Sequence, residues 1–250
     1  MRVVSLVPSW TETLLQAGVN VVGRTRFCIH PREKVAAIPV VGGTKDWNLE
    51  RIRELKPDIL LLDREENPKF MAEQAEFPYL ATHVESVGSV AGALTEMSGR
   101  LQSKELQKIA ERWKAIAVWP GLPRWEVGRE LPGVMEWGRK PAKPIKTAIY
   151  VIWRDPWMAV AKNTFIGSVL EKCGVGDFLP EFQVKYPEIE LEKWAPEETV
   201  FLFSSEPFPF LRKKTELQAL SNAYAIVDGK CFSWFGVRSV EFLEGLKTRR

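Results

Sequence analysis

The fold is decided by the start of the chain, Arg2-Val3-Val4-Ser5-Leu6-Val7-Pro8-Ser9-Trp10-Thr11-Glu12. Residues 3–7 form a short apolar run, which is typical of a strand buried in a parallel sheet. A proline follows, and Ser9 with Glu12 matches the capping box that begins a helix. Gly18 is a suitable residue just beyond the end of that helix. The stretch therefore predicts a strand followed by a helix, the unit from which α/β folds are built.

The same alternation continues through the first third of the chain. Asn48 is placed to cap a helix over residues 49–56, and Pro57 would end it. We predict a first α/β lobe over residues 1–84. Its further strands are expected at residues 21–22, 38–41, 59–62 and 78–82.

The middle of the chain, residues 85–145, changes in character. Residues 89–118 have helical periodicity, and from Leu101 to Ile116 the apolar side chains recur on one face. Residues 119–144 are crowded with proline, glycine and tryptophan, which favours an irregular connector without helix or strand. We therefore predict a bridging helix followed by an irregular segment.

The last part of the chain, residues 146–250, returns to the α/β pattern. The sequence predicts strands at residues 147–152, 200–203 and 225–227, and helices at residues 164–172 and 239–246. The predicted fold class is α/β, with two α/β lobes of parallel-type sheets bridged by a long rigid α-helix.

Composition excludes several classes of protein. The chain has 250 residues, 45% of them hydrophobic, and 35 basic against 32 acidic residues leave a net charge of +3. This excess is too small for a nucleic-acid partner, and the basic doublet Arg249-Arg250 is interpreted as a solvated helix end. Three cysteines without Cys-x-x-Cys spacing indicate neither a disulfide framework nor a structural zinc site. No run approaches the roughly 18 apolar residues of a membrane span. With a strand at the very start, we expect a cytoplasmic protein, or a periplasmic one if a signal sequence precedes this chain.

Particular residues add a family resemblance. They are residues 2–12 quoted above, Val40-Val41-Gly42-Gly43, Asn48-Leu49-Glu50-Arg51-Ile52, Leu55-Lys56-Pro57-Asp58-Ile59-Leu60, Asn163-Thr164-Phe165-Ile166 and Trp234-Phe235-Gly236-Val237-Arg238. On these stretches the chain resembles the class III periplasmic-binding-protein family, the helical-backbone metal receptors, whose members bind cobalamin, ferric siderophores or haem. The resemblance implies a substrate-binding protein of the ABC-transporter type that holds a large metal-chelate or anionic ligand in a cleft between two lobes.

The binding residues are expected at the carboxyl ends of the strands, where open α/β sheets bind their ligands. Aromatic faces stack on planar ligands, and basic side chains form charge-assisted hydrogen bonds. We predict these ligand-binding residues: Trp10, Thr11, Cys28, His30, Thr44, Lys45, Arg64, Trp153, Arg154, Trp157, Glu206, Phe208, Trp234, Phe235 and Arg238.

Structural roles compete with these predictions. Tryptophans such as Trp10 would equally close one end of a core, and Arg64 would equally form a surface ion pair with Asp63. Cys28 and His30 are residue types that bind soft or borderline metals, but two ligands are fewer than a zinc site uses. The remaining metal role for this pair is that of an axial ligand to a metal already held in a chelate.

An enzyme is not expected, and no cofactor is indicated. The sequence has two histidines and neither a Gly-x-Ser-x-Gly nor a His-Glu-x-x-His motif. Two residues depart from the family pattern, since Asp63 stands where cobalamin-binding members have a tryptophan, and Lys69 replaces an acidic residue that docks on an ABC permease. The alternative function is therefore a cytosolic enzyme or a ligand-sensing regulatory protein that reuses the fold.

Overall fold

The chain divides into two units in the computed structural model, which describes residues 1–248. The first unit comprises Met1–Val118 together with Trp234–Glu241, and the second comprises Trp119–Ser233 and the chain from Phe242 onwards. The observed division thus differs from the predicted boundaries, because a segment near the end of the chain belongs to the first unit. The doublet Arg249-Arg250 lies outside the described residues.

The first unit is built on a four-stranded parallel sheet in the order β2-β1-β3-β4. Since the strands are parallel, their carboxyl ends lie at one edge of the sheet. Val4, Leu60 and Leu62 are buried in its core with Ile52 and Met71. The elements of this part are β1 (Arg2–Ser5), α1 (Pro8–Gln16), β2 (Asn20–Arg24), α2 (Arg32–Val35), α3 (Leu49–Leu55), β3 (Ile59–Asp63), α4 (Lys69–Glu73), β4 (Tyr79–Thr82), α5 (Val87–Leu101) and α6 (Lys104–Ala117).

The second unit contains a five-stranded sheet in the order β5-β9-β8-β6-β7. The central strands β9, β8 and β6 are parallel, and the two edge strands are antiparallel to their neighbours. Phe201, Phe203 and Phe210 are buried in its core. The elements are β5 (Val134–Arg139), β6 (Thr147–Trp153), β7 (Met158–Ala159), α7 (Phe165–Lys172), β8 (Thr199–Ser204), β9 (Ala223–Val227), α8 (Gly229–Ser233) and α9 (Val237–Thr248).

The predicted fold class is confirmed at the level of two mostly parallel α/β sheets. Asn48 caps α3 as predicted, because its Oδ1 accepts from the Arg51 amide at 3.0 Å. Residues 38–41 were predicted as a strand but form only single bridges, Arg24 with Val40 and Gly42 with Trp47. No helix within residues 1–248 combines the length and apolarity that a membrane span requires.

The predicted single helix after the first sheet is two helices. Gln102 has a left-handed backbone with φ of 51° and ends α5. The Ser103 hydroxyl then accepts from the Leu106 amide at 3.4 Å and caps α6. The amphipathic pattern was interpreted correctly for α6, whose Leu106, Ile109 and Trp113 are buried. Periodicity alone missed the break, because Gln102 carries no breaker signal.

Two other predictions are corrected by the structure. Residues 119–144 contain a strand, β5, which pairs with β9 at the edge of the sheet. An edge strand needs only one partner, so the flanking glycines and prolines are tolerated. The predicted capping box is also absent, because α1 begins at Pro8 with Val7 as an N-cap that makes no side-chain hydrogen bond. Proline is favoured at this first helical position.

Candidate functional site

A hydrogen-bonded chain joins the loops at the carboxyl edge of the first sheet. Trp10 Nε1 donates to Thr82 Oγ1 at 2.9 Å, and Thr82 Oγ1 donates to Asp63 Oδ2 at 2.6 Å. The other Asp63 oxygen accepts from the Glu65 amide at 2.9 Å. Burial raises the pKa of the Asp63 carboxyl, and the hydrogen bonds from Thr82 and Glu65 oppose that rise. The buried carboxylate therefore links α1, β4 and the loop after β3.

Asn67 connects three further backbone segments at the same edge. Its Oδ1 accepts from the Asp63 amide at 2.9 Å, and its Nδ2 donates to the carbonyls of Leu6 at 3.1 Å and Thr44 at 2.9 Å. The sequence offered no signal for this role beyond an asparagine that follows a strand. Thr44, a predicted ligand contact, is half-buried and held here through its backbone carbonyl.

The loop after β3 contains the neighbouring carboxyl groups of Glu65 and Glu66. Glu66 is half-buried beside Asp63 and Glu65. Its pKa is raised to about 7, first by burial and then by the charge of Asp63, with Lys45 opposing and Glu65 adding to the rise. Sequence analysis proposed Asp63 as a surface partner of Arg64, whereas the structure bonds it to Thr82. Arg64 itself is exposed.

Three predicted aromatic contacts are buried within the first unit. Trp10 has no exposed surface, and its ring meets Phe235 edge-on at 4.9 Å. Trp234 is also buried and lies 5.4 Å from the ring of His30. In this structure Trp10, Trp234 and Phe235 close the core, and their contact with a ligand stays a prediction. Large aromatic side chains such as these are suited both to closing a core and to contacting a ligand.

Arg238 forms an ion pair with the Glu12 carboxylate. Its Nε donates to Glu12 Oε2 at 2.9 Å, and its Nη2 donates to Glu12 Oε1. Glu12 is buried, and the Arg238 guanidinium lies 5.6 Å from the Trp234 ring centre. A bidentate pair of this kind fixes both planes. Arg238 thus forms a structural ion pair with Glu12, and its contact with a ligand stays a prediction.

Thr11 and Cys28 are also buried, and their contact with a ligand stays a prediction. The Thr11 hydroxyl lies 2.8 Å from Ser5 Oγ and 3.0 Å from Cys28 Sγ. Burial raises the pKa of the Cys28 thiol, against hydrogen bonds from Thr11 and Thr25. Because the thiolate is the metal-binding form, Cys28 is unsuited to form the proposed pair with His30.

The first unit nevertheless exposes apolar and basic groups beside this edge. Phe27 and Ile29, in the loop after β2, expose 49% and 47% of their surface. Lys45 is exposed in the loop before α3. The neighbouring Arg26 is held by Asp46 through two hydrogen bonds of 3.0 and 2.7 Å. Of these exposed side chains, Lys45 is a predicted ligand contact, whereas Phe27 and Ile29 are not in the predicted set.

In the second unit, four aromatic rings follow the carboxyl ends of β6 and β8. Trp153 is 40% exposed and meets Phe208 edge-on at 5.7 Å. Phe208 contacts Phe210 at 4.6 Å, and Phe210 stacks on Trp157 at 6.0 Å with 10° between the planes. We call Trp153, Phe208, Phe210 and Trp157 the aromatic cluster. The structure thus brings together three residues that the sequence predicted separately.

Charged groups border the aromatic cluster. Arg154 lies 5.5 Å from the Trp157 ring centre and forms an ion pair with Glu216. Glu206, half-buried after β8, accepts from Ser204 Oγ through its backbone carbonyl at 2.5 Å. Arg154 therefore lies beside the cluster and already has a carboxylate partner, and Glu206 precedes Phe208 by two positions in the sequence.

A cavity that the sequence did not predict opens beside the loop after β6. Its volume is about 560 Å³, within the range of small-molecule sites. The lining residues are Pro156, Phe182, Glu188, Ile189, Glu190, Lys193 and Trp194. The rule that ligands bind at the carboxyl ends of strands does not predict this cavity. Most of its walls come from residues 182–194, which lie between the predicted elements.

Comparison with known proteins gives these sites a context. Residues 3–112 match the family model described as periplasmic binding protein. Over these residues the chain is similar to the periplasmic binding proteins. The Vitamin B12-binding protein of Salmonella paratyphi A is 24% identical over 196 residues, covering 77% of this chain and 67% of the relative. That of Vibrio campbellii is 22% identical over 206 residues, covering 82% and 70%. The predicted resemblance to the periplasmic-binding-protein family is confirmed.

Solved structures share the fold of this chain. The periplasmic vitamin B12 binding protein of Vibrio cholerae is similar with a TM-score of 0.67 and 18% identity, covering 99% of this chain and 95% of that one. The periplasmic heme-binding protein of Roseiflexus sp. RS-1 has a TM-score of 0.69 and 18% identity, covering 98% and 95%. At this identity the likeness establishes the fold.

Proposed function

We propose that this protein is a solute-binding protein for a large metal-chelate or anionic ligand of the corrinoid, haem or siderophore class. The observation that carries the proposal is the aromatic cluster at the carboxyl ends of β6 and β8, on a fold shared with vitamin B12- and heme-binding proteins. Ligands of open α/β sheets bind at this edge. The curated relatives named Vitamin B12-binding protein support the corrinoid class.

The chemistry of the exposed groups suits such a ligand. Trp153 presents 40% of its surface beside Phe208, and an exposed ring provides a stacking face for a planar macrocycle. Arg64 and Lys45 are exposed at the corresponding edge of the first sheet. Cations there would bind the amide, carboxylate or phosphate groups at the rim of a corrinoid or haem.

The ligand class is tested by titration with two probes. Purified protein is titrated with cyanocobalamin and, separately, with haemin, following the visible difference spectrum and the heat of binding. We expect saturable binding of one probe. Trp153→Ala and Phe208→Ala should each weaken it by about 2 kcal/mol, roughly 30-fold, as expected for partly buried aromatic anchors.

Tyr79→Ala is the matched control. Tyr79 is 45% exposed, like Trp153, but begins β4 and therefore lies at the amino edge of the first sheet. Its substitution should leave affinity unchanged. The proposal fails if neither probe binds, or if Tyr79→Ala weakens binding as much as the other two substitutions.

Delivery to an ABC permease is a separate part of the proposal. Lys69, at the start of α4, is exposed and pairs with Glu73 at 2.7 Å. A basic residue at a family docking position disfavours a permease that is recognised through an acidic one. We therefore propose ligand binding as the activity, and expect Lys69→Glu to strengthen any measurable capture by such a permease. The enzyme alternative predicts turnover of the bound probe, which mass spectrometry of recovered ligand would detect.

A further inference from the structure

Three potential metal ligands meet at the carboxyl edge of the first sheet. Glu65 lies in the loop after β3, and His83 and Glu85 lie in the loop after β4. His83 Nε2 is 3.1 Å from Glu65 Oε1 and 3.5 Å from Glu85 Oε1. All three donor atoms lie within 4.8 Å of one another. We propose that Glu65, His83 and Glu85 bind a divalent transition-metal cation, with zinc as the best match.

The distances fit a tetrahedral ion. Zinc binds histidine nitrogen and carboxylate oxygen at about 2.0–2.2 Å, so neighbouring donors in a tetrahedron stand about 3.4 Å apart. The two distances from His83, 3.1 and 3.5 Å, lie on either side of that value. A zinc ion therefore fits among these side chains with small rotations of the carboxylates.

The donor set selects the kind of cation. One imidazole with two carboxylates favours zinc and its neighbours in the first transition row over magnesium or calcium, which prefer oxygen alone. Three protein ligands leave one position of a tetrahedron open. That position would accept water or a donor atom of a bound solute.

The backbone of two ligands is fixed by groups outside the donor set. The Glu65 amide donates to the buried Asp63 carboxylate at 2.9 Å, and the Glu85 amide donates to Ser89 Oγ, in the first turn of α5, at 3.1 Å. His83 directly follows the buried Thr82. Such support reduces the ordering that an ion would otherwise impose.

Electrostatics at this edge also favour a cation. Asp63 ends β3, Glu65 and Glu66 lie in the loop after it, and Glu85 lies in the loop after β4. Four carboxyl groups thus occupy this edge of the sheet, and like charges on them repel one another. A dication among them would relieve part of this repulsion, which a singly charged imidazolium does less well. In the alternative, His83 forms only ion pairs with Glu65 and Glu85. Zinc would then not bind saturably in the titration described below.

This inference is independent of the proposed function. The three ligands come from one unit and involve none of the aromatic cluster. A protein that binds zinc but neither cyanocobalamin nor haemin would support the metal site alone, and the reverse result would support the solute site alone.

The test is a calorimetric titration of chelator-treated protein with zinc chloride. We expect saturable binding of one ion per chain, weakened at least ~10-fold in His83→Ala and in Glu85→Gln, since even outer-shell changes cost 10–100-fold. Glu73→Gln, an exposed carboxylate of the same unit paired with Lys69, is the control and should bind as the unmodified protein does. Circular dichroism of each variant checks that it is folded.

A second readout uses the unmodified protein, so it does not depend on the variants folding. The chain has two histidines, and the imidazole nuclear magnetic resonance signals of His83 should shift on zinc addition while those of His30 stay in place. The proposal is overturned if zinc does not bind saturably, if His30 alone responds, or if both folded variants bind zinc as tightly as the control.

Discussion

The indole Nε1 of Trp10 donates a hydrogen bond to Thr82 Oγ1 at 2.9 Å. Both side chains are buried, and Thr82 passes the interaction on to Asp63 Oδ2 at 2.6 Å. One hydroxyl thus satisfies a buried donor and a buried carboxylate. The stability of the first unit should therefore depend on the Thr82 hydroxyl.

Replacing Thr82 by valine should destabilise the protein. The substitution keeps the shape of the side chain but leaves the Trp10 N–H and an Asp63 oxygen without this partner, at a cost of about 2–3 kcal/mol. Urea unfolding measures the change. Thr95→Val, at an exposed threonine of α5, is the control and should change stability by less than about 0.5 kcal/mol. Equal effects of the two substitutions would contradict this role.

Arg238→Met should cost more than a comparable change at the surface. It leaves the buried Glu12 carboxylate without its cation, and breaking a buried pair in this way costs about 3 kcal/mol. Arg53→Met removes the guanidinium that bonds the exposed Glu76, for which about 1 kcal/mol or less is expected. The midpoints of urea unfolding compare the two. A smaller loss for Arg238→Met than for Arg53→Met would show that the Glu12 pair is not structural.

The cysteines should differ in reactivity. Burial raises the pKa of Cys28 and of Cys173, so at a given pH a smaller fraction of each is thiolate, the reactive form. Cys231 is only half-buried. In folded protein at mildly alkaline pH, iodoacetamide should therefore modify Cys231 first, as read by peptide mass spectrometry. In denaturant all three should react alike. Rapid alkylation of Cys28 in the folded protein would contradict its burial.

Gly236→Ala and Gly245→Ala should change stability in opposite directions. Gly236 has φ of 112°, and a Cβ there would collide with the Thr13 side chain, so a loss of about 2 kcal/mol or more is expected. Gly245 lies within α9 with open space around it. Alanine there should stabilise the helix by up to about 1 kcal/mol. Thermal unfolding measures both, and a neutral Gly236→Ala would refute the assigned backbone constraint.

The strands were predictable because their signals are local. The apolar run at residues 59–62 lies in β3, whose five residues are all buried. The end of α5 was not predictable, because the left-handed residue at that end is Gln102 and not the glycine that usually marks such a position. β5 was missed for the converse reason, since breakers surround it and only pairing with β9 stabilises it.

The site was predicted less well than the fold. Position after a strand correctly brought Trp153 and Phe208 together, because strand order in the sheet determines which loops are neighbours. It did not indicate that Trp10 and Phe235 meet each other in a core. Their contact joins residues more than two hundred positions apart, and a single sequence carries no signal for such a pairing. The neighbouring ends of β3 and β4 would have suggested Glu65 and His83 together.

The segment Trp234–Glu241 completes the first unit from the far end of the chain. During synthesis, Trp10 and Glu12 can reach their partners Phe235 and Arg238 only after residues 234–241 have left the ribosome. Truncation before residue 234 should therefore expose an unfinished hydrophobic surface to chaperones and proteases. Fusion partners and split sites are accordingly better tolerated at exposed loops such as that around Val184 than near the carboxyl terminus.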